Sequence, residues 1–349
     1  MKILFSDATD NHNPKEIETR PTGGILTSLT LIPKYLASKG HEVYVFSEYG
    51  KNEVIDGVHY VEQNASIPKW DIAVFNRNVL PNDFVNYSKS IGAKNIWWLH
   101  DIVQLTYLPD DTYRNIDKII ALSMYCKDTY SDFYSLDANK FSVIPNGVDP
   151  SLWYPGAYEE RDPRLWIMAS APVKGILPIP ALYENLKRHV PELDFRIYSN
   201  QSLHGMQNLP EHTQFLRHMA DKGARIQAPV PPKKLAELLR KAWCMVLPNS
   251  YPEICSNLLL QAQASGCPVL TSDIGANPEF INNLETGIMT TKYKPHDLHA
   301  WVVEFSRMGL KLLLDQPLHE KISKQSINSP KTWGQIGEVW NELLQSVTN

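Results

Sequence analysis

The sequence predicts an α/β protein made of two doubly wound, Rossmann-like domains. Short apolar runs alternate with amphipathic helical patterns, as parallel strands and their crossover helices do. This alternation stops at a linker rich in proline, glycine and charge, residues 145–164, and then begins again. A length of 349 residues is enough for two domains that each bury a core. We therefore expect an N-terminal domain over residues 1–155 and a C-terminal domain over 156–329, facing each other across a cleft.

The first domain begins with a buried strand, "KILF", followed by an amphipathic run from Ile25 to Ser38 that predicts the first crossover helix. Gly40 ends that helix in the usual C-terminal position. Six apolar runs are strand candidates in this domain, at residues 2–5, 43–46, 70–76, 94–100, 118–123 and 141–146.

The second domain repeats the pattern. Five strand candidates lie at residues 164–170, 194–199, 224–230, 244–250 and 267–273, and helices are predicted near 179–190, 232–241 and 256–265. The last segment, 330–349, places Trp333, Ile336, Trp340 and Leu343 at helical spacing. We expect this terminal helix to pack back on the N-terminal domain.

Composition excludes several classes of protein. A net charge of −4 argues against a nucleic-acid binder. No apolar stretch approaches 18 residues, so no transmembrane segment is predicted, although peripheral membrane contact stays open. The start, "MKILF", is too short for a signal peptide. The cysteines show no C-x-x-C spacing, which favours reduced thiols in a cytoplasmic protein; they are Cys126, Cys244, Cys255 and Cys267.

Ligands of doubly wound domains bind outside the carboxyl ends of the strands, and Glu253 follows such a strand. A helix begins just after it, near Ser256 or Asn257, where unpartnered N–H groups and the helix dipole suit a phosphate. A carboxylate beside this site suits a hydroxyl-rich group such as a sugar, and Gln261, two helical turns on, suits a ribose. Taken alone, a helix-start role for Glu253 and a solvent-facing Gln261 are at least as well supported.

Other candidates also follow predicted strands. Gly23 and Gly24, after the first strand, allow close approach of a phosphate but equally suit a turn. Lys174 can neutralise a diphosphate leaving group, although most lysines are simply exposed. Glu279 can act in the site or favour a helix start. There is no G-x-G-x-x-G, Walker, D-x-D or zinc-spaced histidine pattern, so no cofactor or metal is predicted.

Polar residues also end two neighbouring strands of the first domain. His100 and Asp101 follow one strand, and His100 is balanced between a site role and an ordinary half-buried histidine. Asn76 and Arg77 end the adjacent strand, where they can bind an acceptor or brace the loop.

With these residues in place, the chain resembles the retaining glycosyltransferases of family 4, the glycosyl transferases group 1, which have the GT-B fold. "GGILTSLTLIPKYLASKGHEVYVFS" is similar to their glycine loop, first helix and second strand, and "PNGVD" to their interdomain segment. "APVKGI" is similar to their lysine-glycine site. "PEICSNLLLQAQASGCPVLTSDIGANPEFI" is similar to their donor-binding E-x7-E region. The resemblance covers nearly the whole chain.

The resemblance implies a role for each candidate. Glu253 would hold the donor sugar, together with the start of the following helix at Ile254, Cys255, Ser256 and Asn257. Lys174 would contact the diphosphate, which Gly23 and Gly24 approach from the other domain. Gln261 would bind the nucleotide ribose, and His100 would lie over the donor sugar.

Two positions depart from the family pattern. Gln261 replaces the second glutamate, and an amide can still hydrogen-bond a ribose. The arginine that usually precedes the lysine is missing, so Arg77 or Arg225 is a candidate substitute.

The resemblance implies a metal-independent, retaining transfer of a sugar from a nucleotide donor, favoured as a UDP- or GDP-sugar, with no cofactor. The acceptor would be a hydroxyl of a glycan, a lipid-linked group or a small molecule. The alternatives are a nucleotide-sugar epimerase of the same fold and a catalytically weak sugar-nucleotide or glycan-binding protein. No oligomeric state is predicted.

Overall fold

The computed structural model describes residues 1–6, 13–46, 52–62, 67–77, 82–105, 110–199 and 207–348. The chain divides into two compact units. The first comprises Met1–Ile17, Gly24–Gly147 and Thr332–Asn349, and the second comprises Glu18–Gly23 and Val148–Lys331. The first unit's main segment therefore ends at Gly147, whereas the sequence analysis placed the domain boundary at residue 155.

The first unit is a sheet of strands in the order β3-β4-β2-β1-β5-β6-β7-β8. The strands are β1 (Lys2–Ser6), β2 (Glu42–Phe46), β3 (Glu53–Ile55), β4 (Val58–Val61), β5 (Ile72–Asn76), β6 (Lys94–Trp98), β7 (Lys118–Ala121) and β8 (Phe141–Val143). The helices between them are α1 (Gly24–Ser38), α2 (Asn82–Ser90), α3 (Asp110–Arg114) and α4 (Met124–Tyr134). All neighbouring strands are parallel except β3 and β4. The chain order reverses between β1 and β5, which makes that pair the topological switch point.

The antiparallel pair β3–β4 was not predicted, because the sequence analysis left this region without a strand. Asp56 and Gly57 join the two strands, with φ of 51° and 81°. Two left-handed residues in a two-residue loop form a type I′ hairpin turn, for which Asp-Gly is a preferred pair. The signal was therefore present in the sequence.

The second unit has parallel strands in the order β11-β10-β9-β12-β13-β14. The strands are β9 (Asp162–Met168), β10 (Asp194–Ile197), β11 (Arg225–Ile226), β12 (Ala242–Leu247), β13 (Val269–Ser272) and β14 (Ile288–Thr290). The helices are α5 (Ile179–His189), α6 (Pro210–Asp221), α7 (Pro232–Lys241), α8 (Asn257–Ala264), α9 (Asn277–Phe280), α10 (Leu298–Leu314) and α11 (Gln316–Ser326). The predicted strands and helices are confirmed, whereas β14, α6, α9, α10 and α11 were not predicted. The switch point lies between β9 and β12.

The terminal helix α12 (Trp333–Thr348) belongs to the first unit, so the predicted packing is confirmed. The Trp340 ring is buried 6.1 Å from Phe5 and 4.7 Å from Trp98, centroid to centroid. Gly337 lets α12 approach α1, because a Cβ there would lie 2.3 Å from the ring of Tyr35. The helix therefore covers the sheet beside β1 and β6.

Within the described ranges, no helix is long and apolar enough to cross a membrane. None of the four cysteines forms a disulfide, and all four are buried.

Candidate functional site

The switch point of the second unit brings together two residues that lie far apart in the sequence. Lys174 ends a 3₁₀ turn, Pro172–Lys174, just beyond the carboxyl end of β9. Glu253 lies in the loop that follows β12, the neighbouring strand. The Lys174 Nζ lies 2.6 Å from Glu253 Oε1. The two leading sequence candidates therefore form one ion pair at the edge where doubly wound domains bind ligands.

This ion pair is accessible on its cationic side. The Lys174 side chain is 32% exposed, whereas that of Glu253 is 11% exposed. A carboxylate this buried needs a partner, because an unpaired charge away from water is costly. Lys174 supplies that partner, and its side chain stays about one third exposed, so a further anion can approach it.

The backbone around Lys174 is fixed by contacts with the loop after β12. The Lys174 carbonyl accepts hydrogen bonds from the N–H groups of Ser250 at 2.8 Å and Tyr251 at 3.2 Å. Gly175 packs so closely that a Cβ would lie 1.8 Å from the Pro248 carbonyl oxygen, and its φ is +144°. Only glycine fits at this position. The Lys174-Gly175 pair therefore lets the loop after β9 pack directly against the loop after β12.

The loop after β13 holds Glu253 from its other side. The Ala276 N–H donates to the Glu253 carbonyl at 2.8 Å. Gly275 adopts φ +62°, and a Cβ there would lie 2.4 Å from the same carbonyl oxygen. Three consecutive loops thus converge on Glu253 and Lys174.

Helix α8 begins four residues after Glu253. Its N-cap, Ser256, has an extended backbone and makes no side-chain capping bond, so its hydroxyl does not occupy the helix N-terminus. Ile254, Cys255 and Ser256 are buried, and Asn257 is half-buried. The amides and the dipole of this first turn favour an anion close to the exposed face of Lys174.

The two glutamines of α8 have different environments. Gln263 is fully buried, and its Nε2 donates to the carbonyls of Phe280 at 2.9 Å and Thr286 at 3.1 Å. Gln261 is half-buried, and its side chain makes no hydrogen bond within the described residues. Gln263 therefore holds the loop after α9, and Gln261 remains available to a ligand.

Other candidates of the second unit lie elsewhere. Arg225 begins the edge strand β11 and pairs with Asp194 at 3.3 Å, so the structure does not bring it to Lys174. Glu279 is exposed in the first turn of the short helix α9. Gly23 belongs to this unit and directly precedes α1, which begins at Gly24. Neither glycine has a positive φ.

In the first unit, Asn76 ends β5 and pairs in register with Trp98, which ends β6. The next residue, Arg77, has φ +70°, a strained value for a side chain of this size. It is held there because its N–H donates to the Trp98 carbonyl at 2.9 Å and its carbonyl accepts from Trp97 Nε1 at 2.6 Å. Arg77 Nε also pairs with Asp101 at 3.4 Å.

His100 lies beside this group, with its ring 4.3 Å from that of Trp98. Burial and the nearby Arg77 charge lower the pKa of His100 to about 3. The imidazole is therefore neutral at physiological pH. Its Nε2 has no hydrogen-bond partner in the described chain.

The sequence analysis missed three residues of these sites. Gly175 was noted only as part of the lysine-glycine pair and Gly275 was passed over, although glycine beside a site residue can mark close backbone approach. Trp98 was treated as part of an apolar strand, although strand alternation puts it on the same face as His100, two residues on.

One family model matches part of the chain. The sequence profile described as "Glycosyl transferases group 1" matches residues 170–307, which contain Lys174, Glu253 and α8. This part of the chain is therefore similar to the group 1 glycosyltransferases. The resemblance inferred from the motifs is therefore confirmed.

A curated relative of this domain is the D-inositol 3-phosphate glycosyltransferase of Corynebacterium glutamicum. It is 24% identical over 260 residues, which are 66% of this chain and 59% of the relative. The chain thus spans about three fifths of that relative's length.

Two solved structures share the fold. The sucrose-phosphate synthase of Thermosynechococcus elongatus has a TM-score of 0.73 at 15% identity, over 99% of this chain and 98% of its own. Anabaena HepE in complex with UDP-glucose has a TM-score of 0.71 at 16% identity, over 99% and 100%. These similarities confirm the predicted GT-B fold class.

Proposed function

We propose that the protein transfers a sugar from a nucleotide-diphosphate donor, held by the second unit, to an acceptor hydroxyl. The observation that carries this proposal is the Lys174–Glu253 pair, braced by three loops beside the N-terminus of α8. A cation and a helix N-terminus suit a diphosphate, and a carboxylate suits the hydroxyls of the attached sugar.

The proposed roles of the site residues follow from the charges that develop on the donor during the reaction. Cleavage of the glycosidic bond leaves negative charge on the departing diphosphate and positive character on the sugar. Lys174 and the α8 amides stabilise the former, which is the role that a metal ion has in other transferases. Glu253 positions the sugar through its hydroxyls. We propose a metal-independent, retaining reaction in which the departing phosphate takes the acceptor's proton on the same face.

A UDP- or GDP-sugar is the proposed donor, and no cofactor is required. The UDP-glucose complex of a protein with the same fold supports this donor class. Gln261 would hydrogen-bond the ribose. The proposed acceptor is a hydroxyl of a glycan, a lipid-linked group or a small molecule. Curated relatives that include a D-inositol 3-phosphate glycosyltransferase and an alpha-maltose-1-phosphate synthase support the small-molecule class. A cytoplasmic location remains our prediction from the cysteine pattern.

The test is nucleotide release from a panel of UDP- and GDP-sugars by the intact chain and by Lys174→Ala and Glu253→Ala. We expect a loss of roughly 100-fold or more in kcat/KM for each variant, because each removes a group that acts on the donor. Lys222→Ala is the matched control, since Lys222 is 31% exposed and also paired with a glutamate, Glu184. Full activity in both site variants would refute the assignment.

The same panel separates the alternatives. Saturable binding of a nucleotide sugar without release of nucleotide would indicate a binding protein, a reading favoured by Gln261 and by the missing arginine. Conversion of one nucleotide sugar into an isomer would indicate an epimerase.

A further inference from the structure

The second unit has an open cavity at the edge of its sheet opposite Lys174 and Glu253. The cavity measures about 320 Å³ and is lined by Tyr183, Glu184, Lys187, Arg188 and Lys222. Four of these residues belong to α5, and the fifth directly follows α6. α5 leads from the Lys174 loop, at the carboxyl edge of the sheet, towards the start of β10 at the amino edge. The cavity therefore lies apart from the candidate donor site.

The Lys187 ammonium is held at the wall of this cavity. Its Nζ donates to the Tyr183 hydroxyl at 3.0 Å and to the Lys222 carbonyl at 3.3 Å. Tyr183 is 1% exposed, and its hydroxyl donates to the same carbonyl at 2.8 Å. Gly223 leaves room for this arrangement, because a Cβ there would lie 3.0 Å from Lys187 Nζ. An ammonium ordered in this way binds a ligand with a smaller loss of side-chain entropy.

The cavity carries a net positive charge. Of the described residues that line it, Glu184 is the one carboxylate, and it pairs with Lys222. Lys222 lowers the pKa of Glu184, with smaller contributions from Arg188 and His218, so Glu184 is ionised at neutral pH. The hydrogen bonds of Lys187 go to neutral oxygens, and Arg188 Nη1 donates to a neighbouring amide oxygen at 3.2 Å. The charges of Lys187 and Arg188 are therefore uncompensated within the described residues.

We propose that this cavity binds the phosphoryl group of a small, soluble phosphate ester. Lys187 keeps one N–H donor and Arg188 keeps most of its guanidinium donors, and both form charge-assisted hydrogen bonds with phosphate oxygens. Their two charges match the charge of a phosphate monoester near neutral pH. The volume equals that of about ten water molecules, which leaves room for a small organic group. The Lys187 ammonium is bonded to the almost fully buried Tyr183, so a free ester reaches it more closely than a flat lipid surface does.

Cations in a last helical turn also stabilise the helix dipole, whether or not a ligand binds. α7 supplies the comparison for this effect, because its last turn carries Arg240 and Lys241. Lys241 is exposed, as Arg188 is, and it does not line the cavity. Lys241→Gln is therefore the matched control, since it removes one charge of the same kind from the same unit.

The experiment is a calorimetric titration of the intact chain with inorganic phosphate, glucose 6-phosphate and glucose. We expect both phosphates to bind and glucose not to bind. Lys187→Gln and Arg188→Gln should each weaken binding by about 10-fold, because each removes a charge-assisted hydrogen bond. Glutamine at position 187 can still donate to the Tyr183 hydroxyl, so the fold should be kept. Arg188→Lys, which keeps the charge, should lose less affinity than Arg188→Gln, and Lys241→Gln should keep it.

Two further arms separate this cavity from other sites for phosphate. The titrations are repeated in the Lys174→Ala chain, where Lys187→Gln and Arg188→Gln should have the same effects. A failure of the proposed transferase activity would therefore leave the outcome unaffected. Co-sedimentation with vesicles of phosphatidylcholine and phosphatidylglycerol in equal parts tests a lipid headgroup as the ligand.

The proposal would be overturned if neither phosphate bound, or if Lys187→Gln and Arg188→Gln bound both as tightly as the unchanged chain does. Equal weakening in Lys241→Gln would reduce the effect to the net charge of the unit. Loss of all binding in Lys174→Ala would assign the phosphate to the donor site instead. Binding to the vesicles without binding of the soluble phosphates would contradict a small soluble ligand.

Discussion

The carboxyl ends of the two sheets have the same topology but opposite polar chemistry. In the second unit, Lys174 and Glu253 neutralise each other, and their backbones are fixed by neighbouring loops. In the first unit, Asn76 and His100 are buried without hydrogen-bond partners among the described residues. One site is internally satisfied, and the other is not.

The difference indicates how each site would bind its ligand. Under the proposed function, a diphosphate entering the second unit would meet the partly exposed Lys174 side chain, which already pairs with Glu253. Binding would therefore require little rearrangement of the protein. In the first unit, a bound water or polar ligand would give the buried atoms the hydrogen bonds they lack. The second unit places a charged pair at this edge of its sheet, whereas the first places buried, uncharged polar side chains there.

The largest expected effect is that of Gly175→Ala, which disrupts the closely packed loops around Lys174 in the second unit. The new Cβ would lie 1.8 Å from the Pro248 carbonyl oxygen, so the two loops must separate. We expect a loss of roughly 4 kcal/mol in the free energy of unfolding, comparable with severe strain in a packed core. UDP binding by calorimetry should be lost as well.

Gly40→Ala is the control for backbone strain alone. Gly40 has φ +86°, but a Cβ there meets nothing within 4 Å. We expect it to cost about 1 kcal/mol in urea unfolding. Equal losses in the two variants would show that the Lys174 loop tolerates movement and is not preorganised.

One buried histidine in each unit allows the two units to be compared through the pH dependence of stability. Burial lowers the pKa of His100 to about 3 and that of His319 to about 4. At pH 5 the unfolded chain binds these protons and the folded chain does not, so stability falls as pH decreases below about 6.5. Each histidine should contribute about 2 kcal/mol of this loss between pH 8 and pH 5.

The two histidines differ at pH 8. His319 Nε2 hydrogen-bonds the Trp243 carbonyl at 2.8 Å, and its Nδ1 contacts the Tyr158 hydroxyl at 3.0 Å. Urea unfolding should therefore show that His319→Asn lowers stability at pH 8 by more than His100→Asn does, because only His319 loses hydrogen bonds. Both variants should flatten the pH dependence. A large loss in His100→Asn alone would contradict the absence of partners in the first unit.

Much of the fold was predictable because long apolar strands alternate with amphipathic helices. β12 is buried throughout and β1 at its three central residues, as parallel strands are, and their sequences are correspondingly apolar. β14 was missed because three residues, Ile288–Thr290, carry too little pattern. The β3–β4 hairpin was missed although Asp56-Gly57 is a strong turn signal.

The site was predictable residue by residue but not as a set of contacts. Lys174 and Glu253 could each be chosen because both follow strands, yet their pairing depends on β9 and β12 being neighbours. The absence of partners at Asn76 depends on every side chain around it. Arg225 was chosen as a substitute cation from its charge alone, and its pair with Asp194 depends on the neighbouring strand β10.

The smallest expected effect concerns Gln261→Glu, which restores the acid of the family pattern. A carboxylate accepts a hydrogen bond from a ribose hydroxyl more strongly than an amide does. The added charge also repels a diphosphate, but the side chain lies about one turn along α8 from its N-terminus, so the repulsion is partly screened. We expect UDP affinity to rise by about threefold in calorimetry.

The comparison of UDP with 2′-deoxy-UDP isolates the ribose contact. The gain in Gln261→Glu should shrink with the deoxy ligand if the 2′-hydroxyl is the donor. Gln263→Glu is the matched control on the same helix: it replaces the amide that donates to Phe280 and Thr286, so it should lower stability and bring no gain for either ligand. An equal gain for both nucleotides would instead mean that residue 261 does not contact the 2′-hydroxyl. That result would leave Lys174 and the α8 N-terminus as the determinants of donor affinity in the second unit.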